Sequence, residues 1–468
     1  MSSSLPPPAR TNPRRRPRPK RALWLCAILL ACSTPLIFAF PERMPDAVGR
    51  IVEDLSGANA HPVKLKRPAV APLSAMALLG RQIFNDASLS ASGRQSCASC
   101  HDPRHAYGPA NDLPVQLGGP DLRTQGLRQP PSLTYLYRQP NFVIGPDNGP
   151  DNEVPVDLAQ LATQAAGVPK DRKVAGLAAA PQMVPQGGMF WDGRANTLQQ
   201  QASGPMFNPA EMANTSVPEV ARKLAASQYA KQLVQMFGPN VFKSPALVVD
   251  EAMFAVGRYQ VEDPSFHPYD SKYDAWLEGK ARLSAAELRG LRLFNDADKA
   301  NCAGCHLSQA GRDGAPPMFT DYQYEALGVP RNAALAQNRD PGFHDLGLCG
   351  PLREDLKDQH QYCGMFLTPS LRNTATRGSF FHNGVYRTLD QVLKFYNLRE
   401  TDPAAIYPKR ADGGVDRYDD LPPAYRANVD RTDAPFNRKP GAAPAMSEQD
   451  LRDIVAFLHT LDDAPLPK

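Results

Sequence analysis

Two pentapeptides with the pattern C-x-x-C-H constrain this chain more than any other feature. They are CASCH, which begins at Cys97, and CAGCH, which begins at Cys302. In this pattern the two thiols form thioether bonds to the vinyl groups of a haem, and the imidazole of the next residue becomes an axial ligand of the iron. The sequence therefore predicts two covalently bound haem c groups. The residues that would attach and ligate them are Cys97, Cys100 and His101 for the first haem, and Cys302, Cys305 and His306 for the second.

The remaining cysteines have other contexts. A single C-x-x-C-H motif could also be half of a zinc site, but such a site needs a second pair of ligands nearby, and neither motif has one. Cys26 and Cys32 lie in an apolar segment near the N-terminus, whereas Cys349 and Cys363 close a loop of 15 residues. In an oxidising compartment we predict a disulfide between the latter two, worth about 3 kcal/mol.

The N-terminal segment has the features of a targeting signal. The first 21 residues contain seven Lys or Arg and no acid, and a charge-free run of 19 residues, Ala22–Phe40, follows. This run is longer than the roughly 7–15 residues of a signal-peptide core and close to the roughly 20 of a spanning helix. We favour an inner-membrane anchor within residues 1–41, with a cleaved signal peptide or a lipid-modified Cys32 as alternatives. In all three cases we predict that the rest of the chain, after residue 41, is exported to the periplasm.

Length and charge limit the remaining functional classes. A chain of 468 residues corresponds to more than one domain of roughly 100–200 residues. Beyond residue 21, 45 basic residues stand against 48 acidic ones, so the positive net charge of the whole chain comes from the targeting segment. No feature of the body predicts nucleic-acid binding.

A repeated segment divides the body into two related units. LGRQIFND begins at Leu79 and LRGLRLFND begins at Leu288, each ahead of a C-x-x-C-H motif. Ser284 to Glu287 fits a helix-capping box, and Ser447 to Asp450 begins a second helix with an apolar stripe. Strand-like alternation is scarce. We predict a mainly α protein with two cytochrome c-like haem domains in tandem, at 62–265 and 270–468, preceded by an N-terminal membrane-targeting helix.

Several segments together resemble the bacterial di-haem cytochrome c peroxidase and MauG superfamily, and they occur in that family's order. They are LGRQIFNDASLSASGRQSCASCH (79–101), FWDGRA (190–195), QASGPMFNPAEM (201–212), CAGCH (302–306) and TPSLRNTATRGSFFHNG (368–384). The resemblance implies an oxidoreductase whose first haem reacts with peroxide and whose second haem handles electrons.

The resemblance also implies roles for residues of the first unit. Gln201, Pro205 and Glu211 match the family's distal Gln, Pro and Glu, with the same ten-residue separation between the outer two. A carboxylate close to the haem can move a proton from the inner to the outer oxygen of peroxide, so Glu211 is the candidate acid–base group. Gln201 would orient the peroxide. Trp191 falls where the family places a tryptophan between the haems, and it would relay electrons.

Two departures from the ordinary peroxidases indicate the MauG-like branch. No histidine occurs between His105 and His267, so the first iron should lack the histidine that caps it in those enzymes, and His105 would pair with a propionate or lie at the surface. Fourteen residues after His382, where those enzymes have methionine, stands Tyr396. A tyrosinate donates strongly to iron and favours higher oxidation states. We therefore predict Tyr396 as sixth ligand of the second iron, with Met365 as the competing candidate.

Two further features depart from the family. A calcium ion often lies between the haems, held by an Asn side chain and backbone carbonyls, but Gln129, Arg377 and Ser379 replace the family's Asn, Thr and Pro. Backbone carbonyl ligands survive substitution, whereas a basic side chain beside a hard cation is unfavourable, so calcium stays an open alternative. In addition, the segment 139–188 is about fifty residues longer than expected. It would cover a haem edge, receive a partner or form a surface insertion.

These observations favour an enzyme over a carrier. The favoured function is reduction of hydrogen peroxide with electrons from a small periplasmic cytochrome c or copper protein, or a MauG-like oxidation of a protein substrate. The alternative is a non-enzymatic di-haem electron carrier, which would need both irons six-coordinate. The presence of Glu211 and Gln201 without a distal histidine favours the enzyme.

Overall fold

The computed structural model describes residues 46–147 and 183–464. In this part of the chain α-helices dominate, as predicted, and the β-structure consists of three pairs of short antiparallel strands. The helices are α1 (Asp46–Ser56), α2 (Ala75–Phe84), α3 (Cys97–Cys100), α4 (Leu198–Phe207), α5 (Val217–Ala226), α6 (Ala230–Phe237), α7 (Pro245–Glu262), α8 (Lys272–Leu277), α9 (Ala285–Phe294), α10 (Leu389–Leu398) and α11 (Glu448–Leu458). The strands are β1 (Leu117–Gly118), β2 (Thr124–Gln125), β3 (Val143–Pro146), β4 (Met183–Gln186), β5 (Tyr324–Glu325) and β6 (Phe366–Leu367).

In the first unit, helix α2 packs across the long helix α7, which also contacts α4 and α5. Leu79 and Ile83 of α2 are buried against Ala252 and Val256 of α7. These positions repeat every four residues, so each helix presents one apolar face to the other. The result is an apolar core that surrounds the turn carrying the first C-x-x-C-H motif.

In the second unit, helices α9 and α11 pack against each other, and each begins with a capping box. The hydroxyl of Ser284 accepts from the backbone N–H of Glu287, whose carboxylate accepts from the N–H of Ser284 at 2.6 Å. Ser447 and Asp450 form the same arrangement on α11. The predicted capping box at Ser284 and the predicted helix start at Ser447 are therefore confirmed. Both depend on residues that are neighbours in the sequence.

A glycine stands at the closest approach of the two helices in both units. A β-carbon at Gly80 would lie 1.9 Å from the carbonyl oxygen of Ala255, and one at Gly290 would lie 2.0 Å from that of Asp453. Only a residue without a side chain allows backbones to approach so closely. Both glycines stand four residues before the phenylalanine of the repeated F-N-D sequence. The sequence repeat therefore corresponds to the same close helix crossing in each unit.

The long segment 139–188 is anchored by a short ladder at its base. Strands β3 and β4 pair with Val143 opposite Gln186 and Pro146 opposite Met183. The N–H of Gly187 then donates to the carbonyl of Tyr322 at 2.8 Å, which ties the base to the second unit. Residues 148–182 lie outside the described part, so the role predicted for the segment stays a prediction.

Cys349 and Cys363 form a disulfide, as predicted. Cys363 is fully buried, and the backbone on both sides of the bridge is paired, with Gly347 bridged to Cys363. The disulfide therefore closes the loop that precedes strand β6.

The predicted targeting segment, residues 1–41, lies outside the described residues. Within residues 46–147 and 183–464, none of the helices has the length and apolar character needed to cross a bilayer. The membrane-targeting helix thus stays a prediction from the sequence.

Candidate functional site

The first C-x-x-C-H motif forms a single helical turn, α3, that ends at His101. The N–H of Ser96 donates to the hydroxyl of Ser99 at 2.9 Å and caps the turn. The Nδ1 atom of His101 lies 2.9 Å from the carbonyl oxygen of Tyr107. Because a carbonyl only accepts, Nδ1 carries the hydrogen, and Nε2 keeps a lone pair for a metal.

In the second motif the histidine is held in the same way, but the backbone of the turn has a different conformation. Residues Cys302–Gly304 form a 3₁₀ turn, and Nδ1 of His306 lies 2.8 Å from the carbonyl oxygen of Phe319. Burial lowers the pKa of His306 to about 4, as it does for His101. Both imidazoles are therefore neutral at physiological pH, which is the state that binds a metal.

The first cavity, of about 40 Å³, brings the predicted residues of the first unit together. Desolvation raises the pKa of Cys97 to about 12 and that of Cys100 to about 11, so both are neutral thiols. The described lining residues are Phe84, Gln95, Ser96, Cys97, Cys100, His101, Leu133, Gln201, Ala202, Pro205, Glu211, Met212, Val256 and Gln260. The resemblance-based candidates Gln201, Pro205 and Glu211 thus share one cavity with the haem-attachment motif.

Helix α4 positions two of these three candidates. Thr197 caps its N-terminus, and Gln201 and Pro205 are one turn apart on the face toward the cavity. Pro205 has no N–H, so it cannot donate the helical hydrogen bond to the carbonyl of Gln201. The chain leaves the helix at Asn208 and turns back, which places Glu211 in the same cavity.

Glu211 is a half-buried carboxylate with one strong hydrogen bond. Its Oε1 accepts from the side-chain amide of Asn208 at 2.5 Å. Desolvation raises the pKa of Glu211, while the positive charge of Arg194 and the bond from Asn208 oppose that shift. A carboxyl group held in this way can change protonation state closer to neutral pH than an exposed one.

The second cavity, of about 200 Å³, is larger and holds Tyr396. Tyr396 lies on helix α10 and lines the cavity together with Cys302, Cys305 and His306. The competing candidate Met365 is not among the described lining residues and packs instead in a cluster with Tyr324, Leu348 and Leu356. The structure therefore brings Tyr396, and not Met365, to the second motif.

The phenol of Tyr396 is surrounded by aromatic rings. It stacks on Phe436 with ring centroids 5.4 Å apart and also lies near Phe381. Burial raises the pKa of Tyr396, so the phenol stays protonated unless a cation lies against its oxygen. The fully buried Arg399 supports this wall, because its guanidinium lies 3.5 Å from the centre of the Phe436 ring.

A loop joins the two cavities and carries Trp191. Trp191 lines the second cavity, and its indole N–H donates to the carbonyl of Gln129 at 2.7 Å. The preceding Phe190 packs on helix α4, since a β-carbon at Gly204 would lie 3.2 Å from its ring. Consecutive residues thus contact the helix of one cavity and the wall of the other.

Buried ion pairs hold this loop in place. The carboxylate of Asp192 accepts from Arg128 at 2.7 Å and from Arg194 at 2.8 Å. Arg128 also binds Asp345, which lines the second cavity, through two 2.7 Å hydrogen bonds. Because these groups are desolvated and fully paired, removal of one partner would leave a buried charge uncompensated.

His105 is not part of the first cavity. Its ring nitrogen lies 3.4 Å from the carboxylate of Asp102, and two-fifths of the side chain is exposed. Among the described residues that line the first cavity, His101 is the one histidine. The prediction that His105 is a surface partner agrees with this position.

Sequence reasoning missed several polar residues of the cavities, and the second cavity alone is lined by five acidic ones, Glu325, Asp345, Asp420, Asp430 and Asp433. Gln95 and Gln260 line the first cavity, and each keeps a buried side-chain oxygen without a hydrogen-bond partner. Asp345 lines the second. Gln260 could have been noticed in the sequence, because it is a polar residue on the apolar face of α7. Asp345 lies in a loop, where no periodic pattern distinguishes it.

The donor groups of both cavities fit a covalently attached haem. Each cavity combines two cysteines outside any disulfide with a neutral imidazole whose Nδ1 bonds to a backbone carbonyl, among largely apolar residues. This donor set is the one that haem c attachment uses.

Comparison with known proteins supports the same conclusion. The family model for di-haem cytochrome c peroxidase matches residues 74–282. The methylamine utilization protein MauG of Paracoccus denitrificans (strain Pd 1222) is 31% identical over 451 residues, which cover 93% of this chain and 95% of that protein. This chain belongs to the bacterial di-haem cytochrome c peroxidase and MauG superfamily.

Other members of the superfamily are also similar. The cytochrome c551 peroxidase of Nitrosomonas europaea is 30% identical over 331 residues, or 70% of this chain and 74% of that protein. The crystal structure of the diheme peroxidase BthA from Burkholderia thailandensis E264 superposes with a TM-score of 0.71 at 37% identity, covering 86% of this chain and 90% of that one. A variant of BthA gives a TM-score of 0.72 at 36% identity. The family and the enzyme class predicted from the sequence are confirmed: the protein is a di-haem oxidoreductase.

Proposed function

We propose that this protein reacts with hydrogen peroxide at the first cavity and draws electrons through the second from a redox partner or a protein substrate. The observation that carries this proposal is the first cavity itself, where Gln201 and Glu211 meet the haem-binding His101 and no other described histidine. A site of this kind has room and an acid–base group for a small ligand, which an electron carrier does not need.

Cys97, Cys100 and His101 would hold the first haem, which would supply the electrons for cleavage of the O–O bond of peroxide. Glu211 would accept a proton from one oxygen of the peroxide and return it to the other, which would leave as water. Gln201 donates a hydrogen bond that orients the peroxide. Pro205, one turn from Gln201, shapes the wall and places no further donor beside it. Two electrons and two protons convert each peroxide to two waters.

Tyr396 defines the second site. Tyr396 lines the same cavity as Cys302, Cys305 and His306, and its phenol oxygen is the candidate ligand for the second iron. An anionic tyrosinate stabilises a high iron charge more than a thioether does. The second site would therefore share an oxidation made at the first, with Trp191 as the relay between them.

The source of the electrons depends on which kind of enzyme this is. A MauG-like enzyme would take its electrons from a residue of a protein substrate, and a peroxidase would take them from a small cytochrome c or copper protein. Two of the relatives represent these two uses by name, the methylamine utilization protein MauG and cytochrome c551 peroxidase. We place the enzyme in the periplasm, held to the inner membrane by residues 22–40, because haem c attachment motifs follow a basic and apolar N-terminal segment.

The test is stopped-flow absorption and electron paramagnetic resonance of the fully ferric enzyme before and after one equivalent of peroxide. We expect a high-spin first haem that reacts without prior reduction and a low-spin second haem whose signal is lost at the same time. Two low-spin haems that are inert in the ferric and half-reduced states would contradict the proposal and support the alternative, a non-enzymatic electron carrier. Activity that appears only after one-electron reduction would assign the protein to the ordinary peroxidases.

A further inference from the structure

Three residues that replace the family's calcium-binding positions lie together in the structure. The side-chain amide of Gln129 donates to the hydroxyl of Ser379. The guanidinium of Arg377 donates to the carbonyl oxygen of Pro130, the residue after Gln129, at 2.6 Å. The segment 129–130 and the segment 377–379, which the resemblance aligns with the family's calcium-binding positions, are thus joined directly.

The guanidinium of Arg377 lies beside the loop that supports the first proximal histidine. A β-carbon at Gly108 would lie 3.1 Å from its Nη1 atom, and the preceding Tyr107 holds Nδ1 of His101. The charge of Arg377 therefore lies beside the loop whose carbonyl holds the proximal histidine.

No carboxylate of the described residues forms an ion pair with Arg377. Although part of the side chain is exposed, protein surrounds the guanidinium closely enough that desolvation lowers the pKa of Arg377 to about 10. Arg377 is therefore still a cation at neutral pH, and none of the acidic residues in 46–147 and 183–464 pairs with it.

The oxygen atoms nearby do not make a calcium site. Calcium takes six to eight oxygen ligands. Here the carbonyl of Pro130 is engaged by Arg377, and the hydroxyl of Ser379 accepts from Gln129 and donates to the carbonyl of Leu113 at 3.0 Å. Of these groups, Oε1 of Gln129 alone is left without a partner among the described residues. The positive guanidinium beside these oxygens opposes the binding of a divalent cation.

We propose that the guanidinium of Arg377 takes the place of the calcium ion between the two haem sites. It ties the two segments together by its bond to Pro130, and it supplies a fixed positive charge beside the first site. Arg377 is thus a positioning residue. The inference rests on membership of the superfamily and on these contacts, and it holds whether the enzyme is a peroxidase or MauG-like.

The first experiment measures calcium in the holoenzyme purified from calcium-containing medium without chelator. We expect far less than one ion per chain. Treatment with a chelator, followed by addition of calcium, should leave the paramagnetic resonance spectra of both haems and the thermal midpoint unchanged. Stoichiometric calcium in the wild-type enzyme, or spectra that change on chelation and recover with calcium, would overturn the proposal. This measurement needs no peroxide, so its result is independent of the proposed function.

Variants then test the role of the charge. Arg377→Gln should lower the reduction potential of the first haem, because a positive charge is lost, whereas Arg377→Lys should leave it close to that of the wild type. The triple change Gln129→Asn, Arg377→Thr and Ser379→Pro should create a chain that binds one calcium and becomes sensitive to chelators. A folded triple variant that takes up no calcium, or a potential unmoved in Arg377→Gln, would show that Arg377 does not replace the ion.

Discussion

Desolvation shifts the pKa of four side chains that line the two cavities. It raises the pKa of Glu211 and of Tyr396 and lowers the pKa of His101 and His306 to about 4. Each group is thus driven toward its neutral form, in which an imidazole binds a metal and a carboxyl group can exchange a proton near neutral pH. Neutral side chains allow a small uncharged molecule such as peroxide to enter without displacing an ion pair.

Replacement of Glu211 by Gln should leave both haems attached but slow the reaction with peroxide by roughly 10²–10⁴-fold, because the shape is kept and the proton acceptor is lost. Stopped-flow absorption of the ferric enzyme measures the rate. Glu354→Gln, at an exposed carboxylate, is the matched control and should react like the wild type. An unchanged rate in Glu211→Gln would remove Glu211 from the mechanism.

The same carboxyl group predicts a pH dependence. Glu211 accepts a proton only as the carboxylate, and its pKa is raised, so the rate should fall as the pH drops through a value above the roughly 4.3 of an ordinary Glu. This acid limb should be missing from the pH profile of Glu211→Gln. If both proteins show the same limb, another group is responsible for it.

Replacement of Tyr396 by Met should raise the reduction potential of the second haem, because a neutral thioether replaces an anionic phenolate. Spectroelectrochemistry measures the potential. Met365→Leu, in the separate cluster with Tyr324, is the control and should leave the potential unchanged. If Met365→Leu shifts the potential and Tyr396→Met does not, Met365 and not Tyr396 is the ligand of the second iron.

At the scale of the elements, local signals in the sequence predicted the features whose partners are close along the chain. They predicted the capping box of α9, the start of α11 and the disulfide, whose cysteines close a short loop. The pairing of β3 with β4 was not predicted, because its partners are separated by the whole of the long segment. Hydrophobic periodicity in the sequence likewise says nothing about which helices cross.

The close helix crossings lead to a prediction for both units. Gly80→Ala and Gly290→Ala should each destabilise the holoenzyme by about 1–3 kcal/mol, because the new methyl group meets a backbone oxygen that cannot move aside. Thermal unfolding measures the loss, at about 2–4 °C for each kcal/mol. Ala285→Ser on the exposed face of α9 should change stability by less than about 0.5 kcal/mol. If the glycine variants are as stable as this control, the helices can move apart at these crossings without a loss of stability.

At the scale of the whole molecule, the loop that carries Trp191 determines how the two sites communicate. Phe190 contacts the helix of the first cavity, Trp191 lines the second, and the pairing of Asp192 with Arg128 holds the loop rigid. The resemblance to a family was needed to select Trp191, because a tryptophan in a loop has no distinguishing periodicity. The paired charges became visible only in the fold, since Arg128 and Asp345 are 217 positions apart.

Replacement of Trp191 by Phe should separate the two sites. The first haem should still react with peroxide, but the paramagnetic resonance signal of the low-spin second haem should persist, because the indole relay is lost. Trp276→Phe, in the apolar core of the second unit, is the matched control and should behave like the wild type in this experiment. Loss of the second signal in Trp191→Phe at the wild-type rate would place the electron route elsewhere.

The ladder of β3 and β4 has a consequence for the history and the engineering of this protein. Pro146 and Met183 are direct partners, so the two ends of the intervening segment lie side by side. The entropy of closing a loop grows by only about 0.6 kcal/mol for each doubling of its length. Inserts of very different size can therefore be exchanged at this junction, by evolution or by grafting a reporter domain, while the chemistry on either side is preserved.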